Sequence, residues 1–467
     1  MQPQGDRPIT FSFRVEHLLG WSVTIFLCLL PVYMWAQLNP ISEINNFSAV
    51  MINLGRVTGL VGMVMYALNL VYSTRLRFLE YFFGGLNRVY IAHHILGGLA
   101  LIFLSLHPFF LALRLVQISL LEVTMFLLPN GLTPVGALFD PNDVLHSQVL
   151  QQWALTFGIV AFWGMVGLLL LTFFIKVPYK FWLATHKYLG WFFVIGGLHL
   201  VFITSDTSVS GPLRTYMLIM TGIGVAAFFY RSLVGKILIR HYKYVVRYAN
   251  FKADKVLSIT LAPTDSRIDF KPGQFLFIRF LDAPGISREW HPFSIASSST
   301  DSDITVVIKS LGDYTAQLHN LPSGTTAEIE GAYGMFSYRS YSNKNQIWIA
   351  GGIGITPFLS MARSLPQDGQ YNIDLYYSVR TASEVIEWQT LAELAQAHSG
   401  HFRVFPFVSE QQKGRLSADF IESIGGSVTG KDVYICGPAP MMKALRQQFK
   451  DKGTPGTNIH TEEFSMS

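Results

Sequence analysis

The stretch Thr185-His186-Lys187-Tyr188-Leu189-Gly190-Trp191-Phe192-Phe193-Val194-Ile195-Gly196-Gly197-Leu198-His199 places two histidines 13 residues apart inside an apolar segment. An upstream apolar segment repeats the arrangement, with His93 and His94 followed by His107. A helix rises about 1.5 Å per residue, so 13 or 14 residues separate two side chains by about 20 Å. Ionisable side chains are costly in lipid and face the protein interior with a partner. Neutral imidazole is also an axial ligand of haem iron. The expectation is that four of these histidines clamp two stacked haems at two depths of one membrane. A 14-residue step returns to within about 40° on a helix, which favours His93 over His94, whereas a 13-residue step lands about 140° away. A kink or bulge in the second helix would absorb that difference. A single histidine in such a segment is more often a satisfied core residue, but two matched pairs are poorly explained that way.

Composition sets the same frame. Of 467 residues, 50% are hydrophobic and 14% charged, against roughly a quarter charged in soluble domains. With a mean hydropathy of +0.33, at least half of the chain belongs in a lipid bilayer. The net charge of +5 comes from clusters beside apolar spans, which fits positive-inside loops rather than nucleic-acid binding. Cys28 and Cys436 fall in different halves and imply neither a disulfide framework nor a zinc site. The polar stretch Met1 to Glu16 does not read as a cleavable signal, so the first span is expected to stay as an anchor.

Six apolar spans lie at roughly 18–38, 50–72, 90–117, 150–175, 185–204 and 213–235. Arg7 and Arg14 precede the first. Arg75, Arg77 and Arg88 lie between the second and third. Lys176, Lys180 and Lys187 lie between the fourth and fifth, and Arg231, Lys236, Arg240 and Lys243 follow the sixth. The remaining loops are poor in Lys and Arg. The N-terminus and everything past the sixth span are therefore expected in the cytoplasm. Spans three and five then run the same way, so His93 pairs in depth with His186 and His107 with His199. Arg56, in Leu54-Gly55-Arg56-Val57-Thr58-Gly59, lies near the outer end of span two. A charge there takes a partner or water. A haem propionate, an anion or an oxygen species is the functional candidate; an interfacial arginine with its head in water is the plain one.

Past Lys243 the apolar runs shorten to strand length, at 256–262, 274–281, 303–309 and 326–330, as in a small antiparallel barrel. From residue 346 short apolar runs alternate with helical stretches, which implies a parallel sheet. Gly351-Gly352-Ile353-Gly354-Ile355-Thr356-Pro357 follows one such run and precedes a helix. Glycines there let backbone N–H groups approach a pyrophosphate at a helix N-terminus, although a glycine-rich turn alone is a weak signal. Trp290-His291-Pro292-Phe293-Ser294 offers an apolar wall and a hydroxyl. Lys309-Ser310-Leu311-Gly312-Asp313-Tyr314-Thr315 offers a cation, backbone amides and a second hydroxyl, suited to a diphosphate. Singly each could be an ordinary strand end; in this order they are specific.

These stretches, with Glu330-Gly331-Ala332-Tyr333-Gly334 and Cys436-Gly437-Pro438, resemble the ferredoxin-NADP reductase-type dehydrogenase module. The six spans with two histidine pairs resemble the ferric-reductase transmembrane module. Both on one chain resemble the NADPH oxidase (NOX) and ferric reductase superfamily, in a compact prokaryotic-type form. The resemblance implies a six-helix di-haem domain over 1–240, an antiparallel β-barrel FAD domain over 241–342 and an α/β NADPH domain over 343–467. It implies that His291, Pro292, Phe293 and Ser294 hold the flavin ring and ribityl chain, and that Lys309, Gly312 and Thr315 hold its diphosphate. Gly352, Gly354, Thr356 and Pro357 match the nicotinamide-nucleotide loop, and Cys436, Gly437 and Pro438 the wall beside the nicotinamide. Arg380 and Arg415 fall where the family binds the ribose phosphate; an arginine fork suits a 2′-phosphate. Phe464 matches a C-terminal aromatic that stacks on the flavin, here followed by three more residues. Phe192 matches the aromatic between the haems.

The implied activity is a superoxide-generating NADPH oxidase. Electrons would pass from cytoplasmic NADPH through FAD and two b-type haems (His93 with His186, His107 with His199) to dioxygen outside. Oxidases of this family often carry another histidine one turn past the outer ligand, where this chain has Leu111. A transmembrane ferric reductase is therefore the alternative, with a ferric chelate as acceptor. A haem subunit serving a protein or quinone partner is a third reading, which the complete dehydrogenase half disfavours. The setting implied is multi-pass in a plasma or inner membrane, with no nucleic acid and no obligatory protein partner. Preference between NADPH and NADH stays open.

Overall fold

The computed structural model describes residues 16–40, 46–129, 146–175, 179–235, 239–253 and 255–462. It divides into two compact units, whose main bodies are residues 15–83 with 88–238, and residues 239–467.

The first unit is a helical bundle. Its long helices are α1 (Glu16–Ala36), α2 (Phe47–Tyr72), α3 (Leu86–Leu113), α4 (His146–Phe174), α5 (Tyr179–Phe202) and α6 (Gly211–Phe229). Among the described residues, five helices are long and apolar enough to cross a membrane, where the sequence reading counted six spans. The one that falls short is α5. At 24 residues it is about 36 Å long, ample for a hydrocarbon core of about 30 Å. Lys180, His186, Lys187 and His199 lower its hydropathy instead. Helix α4 packs along α5 and α2 along α6, while α3 makes few close backbone approaches to α5. The bundle core brings Tyr66 and Ala67 of α2, Ala100 of α3, Met165 of α4, Phe193 of α5 and Phe228 of α6 together. The Tyr66 hydroxyl donates to the Leu189 carbonyl at 2.7 Å, which satisfies a polar tip that apolar surroundings would otherwise penalise.

The second unit begins with six antiparallel strands: β1 (Tyr242–Ala253), β2 (Val256–Pro263), β3 (Phe275–Phe280), β4 (His291–Ser294), β5 (Ile304–Lys309) and β6 (Thr326–Tyr333). They pair in the order β4-β3-β6-β1-β2-β5, and a bridge between Ile295 and Val306 joins the two ends. Inward residues such as Val246, Ile259, Leu276, Ile278, Ile304 and Ile329 fill the interior. A parallel sheet follows, built from β7 (Asn345–Gly351), β8 (Asn372–Val379), β9 (Phe402–Val408), β10 (Asp432–Cys436) and β11 (Ile459–Glu462). Its order is β11-β10-β7-β8-β9. Helices α7 (Thr356–Arg363), α8 (Trp388–Ala397), α9 (Ala418–Gly425) and α10 (Ala439–Asp451) connect the strands. Strands buried on both faces read as near-continuous apolar runs; Ile347, Trp348, Ile349 and Ala350 of β7 are all essentially inaccessible. Barrel and α/β sheet are the two folds expected of this half.

Candidate functional site

In the bundle, α3 and α5 present two imidazole pairs to each other. The rings of His93 and His186 are 6.2 Å apart between centres, and those of His107 and His199 are 6.3 Å apart. A metal–imidazole bond of about 2.0 Å, plus about 1.1 Å from nitrogen to ring centre, would set two facing rings about 6.2 Å apart. His94 is exposed at this level, and it is His93 that faces His186. No group of three or more His, Cys, Asp or Glu able to hold a metal occurs among the described residues. Histidines in twos suit an iron whose other four ligands come from a macrocycle.

The hydrogen bonds of these rings fix their tautomers. His93 donates Nδ1–H to the Asn69 carbonyl at 3.0 Å, His107 to the Gly55 carbonyl at 2.7 Å, and His199 to the Ala154 carbonyl at 2.8 Å. A carbonyl only accepts, so in each case Nε2 is the nitrogen left for a ligand. His186 differs. Its Nδ1 is buried without a hydrogen-bond partner among the described residues, and its ring stacks on Trp182 at 5.1 Å. The awkward 13-residue step needs no kink, since α5 is a continuous helix. Side-chain direction absorbs it: His186 lies over its own helix at Trp182, while His199 turns toward α4.

Arg56 meets a protein partner. Its Nη1 lies 2.9 Å from Asp206 Oδ2, and the same carboxylate oxygen accepts from Trp35 Nε1 at 2.8 Å and Asn39 Nδ2 at 3.2 Å. Phe192 is half-buried and lies in a notch at Gly164 of α4, where a Cβ would come within 2.0 Å of the ring. Its neighbour Phe193 is the fully buried one, edge-on to Tyr66 at 5.0 Å. Leu111 packs against Gly55, beside His107.

In the barrel, His291 to Ser294 form β4, paired with Phe275 to Ile278 of β3. The His291 ring lies flat on Tyr314, with centres 3.5 Å apart and planes 18° apart. His291 Nε2 lies 3.6 Å from Glu289 Oε2, and the buried Tyr314 hydroxyl has no hydrogen-bond partner among the described residues. Burial lowers the His291 pKa below the usual imidazole value, against the opposing pull of Glu289. Thr315 Oγ1 accepts from the N–H groups of Leu311 at 2.9 Å and Gly312 at 3.1 Å, so the threonine hydroxyl holds this turn closed on itself.

A cleft of about 380 Å³ lies beyond β5, lined by Lys255, Lys309, Gly352, Thr381, Ser383 and Glu384 among others. Gly352 sits at φ +55°, the conformation a tight strand-to-helix turn uses. Thr356 Oγ1 donates to the Ile353 carbonyl at 3.1 Å, and Pro357 stands in the first turn of α7. A Cβ on Gly354 would lie 2.3 Å from the Cys436 carbonyl oxygen, and one on Gly437 would lie 3.0 Å from Gly351 Cα. The nucleotide-type loop and the Cys436-Gly437-Pro438 turn thus touch backbone to backbone. Cys436 is fully buried. Burial first, and the Glu462 carboxylate second, push its pKa well above the usual thiol range. It stays a thiol, packed in the core of the sheet.

Arg380 is 78% exposed and pairs through Nε with Glu410 Oε1 at 3.0 Å. Arg415 is also exposed, in the loop after β9. Phe464 lies outside the described residues.

Sequence reading passed over several residues of these sites. Asp206 carries no local signal, since only the packing of α2 brings it to Arg56. Tyr314 stood inside a quoted motif without a role. Glu387 bonds Lys252 of β1 at 2.7 Å and Arg363 of α7 at 3.0 Å, tying barrel to α/β domain. Gly55, Gly59 and Gly62, spaced four and three apart on α2, were visible as a helical face but had no stated purpose.

Comparison with known proteins matches three families in succession. Residues 58–197 match the ferric reductase like transmembrane component, 241–349 an FAD-binding domain, and 348–447 the oxidoreductase NAD-binding domain. The ferredoxin reductase component of a 3-ketosteroid-9-alpha-monooxygenase from Mycolicibacterium smegmatis is 29% identical over 202 residues. That match covers 42% of this chain and 56% of the relative, so the chain spans little more than half the relative's length. Ferric reduction oxidase 8, mitochondrial, of Arabidopsis thaliana is 29% identical over 184 residues, covering 35% of this chain and 25% of that protein. Among solved structures, an Amycolatopsis cytochrome P450 reductase aligns with 49% of this chain and 71% of its own, at 24% identity and a TM-score of 0.42.

Proposed function

The chain is an oxidoreductase with the ferric reductase and NADPH oxidase architecture, a transmembrane component followed by FAD-binding and NAD-binding domains, and from that premise we propose that it carries electrons from cytoplasmic NADPH to dioxygen on the far side of a membrane. The observation that carries this reading is the pair of facing imidazoles at 6.2 and 6.3 Å on the same two helices. When bound, FAD would split a two-electron hydride into single electrons, and two haems would conduct them between the bilayer faces.

The protein's part is to hold and orient. His93 with His186, and His107 with His199, are the ligand pairs. His291, Pro292, Phe293, Ser294 and Tyr314 would hold the flavin, with Lys309, Gly312 and Thr315 for its diphosphate. Gly352, Gly354, Thr356 and Pro357 bring backbone amides and a helix N-terminus to the nicotinamide nucleotide. The Cys436 thiol, held protonated, excludes water beside the nicotinamide without acting as a nucleophile. Arg380 and Arg415 would take the 2′-phosphate. The bilayer is the setting, with the N-terminus and dehydrogenase half on the cytoplasmic side, and no protein partner is required.

One observation favours a second acceptor. Arg56 shares its charge with Asp206, and Leu111 stands at Gly55, so these two positions offer little to stabilise a reduced oxygen anion. A ferric chelate meeting an exposed outer edge needs no such site. The test is the detergent-purified chain, assayed for haem-to-FAD ratio and for NADPH-driven acceptor reduction. Two haems per FAD and dismutase-sensitive reduction of cytochrome c are expected. Direct consumption of ferric chelate, insensitive to the dismutase, would replace the oxidase with the reductase. Fewer than two haems would end both.

A further inference from the structure

The outer histidine pair is built from one device used twice. His107 donates to the Gly55 carbonyl, and its ring lies against Gly59, one turn further along α2. His199 donates to the Ala154 carbonyl, and its ring lies against Gly158, one turn further along α4. A Cβ at Gly59 would stand 2.5 Å from His107 Nδ1, and one at Gly158 would stand 2.8 Å from His199 Nδ1. Both distances are well inside the contact optimum of about 3.5 Å. A free imidazole would swing aside; one anchored through Nε2 to a metal between two helices has no such freedom. The inner pair lacks the full device, because His186 Nδ1 has no acceptor among the described residues.

An imidazole that donates its second N–H to a carbonyl is a stronger base toward the metal, and a stronger donor favours the more oxidised iron. We propose that Gly59 and Gly158 are positioning residues for the outer pair. Each keeps open the gap in which an imidazole holds its carbonyl hydrogen bond, and the outer iron therefore lies at a lower potential than the inner one, where only His93 is anchored this way. The inference rests on the two-haem reading above. Ordinary small-residue packing between helices is the competing explanation, and Gly62 separates the two. A Cβ there would meet Leu104 Cγ at 2.8 Å, on the same face of α2, with no histidine among its nearest contacts.

The experiment is a potentiometric titration of the full-length purified protein, following the haem absorption, with electron paramagnetic resonance of the ferric centres and FAD content as the check on folding. The unmodified chain should titrate in two components, and His199→Ala should remove the lower. Gly59→Ala and Gly158→Ala should each raise that lower component; a tenfold loss of ferric-over-ferrous preference reads as about 59 mV for one electron. The upper component should stay in place, and Gly62→Ala should move neither. Survival of the lower component in His199→Ala overturns the proposal. So does an unmoved outer component in both glycine variants, or an equal shift in Gly62→Ala. Should both glycine variants fail to fold, the order of the two wild-type components, assigned with His199→Ala, decides it. A wild-type protein with fewer than two haems would instead refute the two-haem reading.

Discussion

Glycine serves opposite purposes in the two halves of this molecule. In the bundle, Gly59 and Gly158 leave out a side chain so that an imidazole from a neighbouring helix can lie against the backbone. In the α/β domain, Gly354 leaves one out so that two backbones can touch, with its missing Cβ only 2.3 Å from the Cys436 carbonyl. The bundle builds its sites from side chains that reach into gaps between helices. The dehydrogenase half builds them from turns at strand ends, where amides and carbonyls are the contacting groups. Turn sites are contiguous in the chain; gap sites are assembled from four helices and leave only a spacing behind.

The contrast breaks most visibly if damage to one half spreads to the other. His199→Ala should cut bound haem from two per chain to one and reduce transmembrane acceptor reduction to background, while FAD content holds. Pyridine haemochrome and flavin fluorescence measure both, and an unaltered haem-to-FAD ratio would remove His199 as a ligand. Gly354→Ala is the mirror experiment. Overpacking against a backbone carbonyl costs about 1–3 kcal/mol, so the KM for NADPH should rise at least about fivefold with the haem spectrum unchanged. A normal KM would mean that the loop and the Cys436 turn need not touch.

Finer effects sharpen the comparison within the dehydrogenase half. Arg380→Ala should raise the KM for NADPH about tenfold, or about 1.4 kcal/mol, and leave the KM for NADH nearly unmoved. Equal changes for the two nucleotides would show that Arg380 does not read the 2′-phosphate. Because Arg380 pairs with Glu410 on the surface, and exposed pairs are worth about 0–1 kcal/mol, Glu410→Gln should lower the NADPH KM by no more than about fivefold. The smallest effect concerns pH. Burial holds the His291 pKa below its ordinary value, so the unfolded chain takes up the proton first as pH falls. Its contribution to stability is complete above the ordinary imidazole range and is lost as pH falls from there through the folded value. Flavin-detected melting between neutral and mildly acidic pH should show a shallow decline that His291→Gln flattens; an equal slope in the variant would assign the decline to other groups.

Legibility followed the same divide. Phe293, Gly312, Gly352 and Pro357 stand in unbroken motifs whose backbone conformation is set by near neighbours, and the folds around them followed from alternating apolar runs. Helix α5 was legible as a long helix through its aromatic stretch, although its histidines and lysines make it less apolar than the other five. Arg56 was noticed, but Asp206 was not, because nothing near either residue announces the other. Phe193, which packs at the centre of the bundle, carries no mark in the sequence that sets it apart from Phe192, one residue and about 100° away round the helix.

By itself the sequence determined the order of the modules, the helices that carry paired histidines, and the glycine-rich turns at the strand ends, since each depends on residues within a few turns or strands. Only the tertiary structure decided that His93 rather than His94 faces His186, which carbonyl holds each imidazole, that His186 has none, and that Asp206 takes the charge of Arg56. Those facts depend on how separate helices rotate and settle against one another, and on the directions of side chains across the gaps between them.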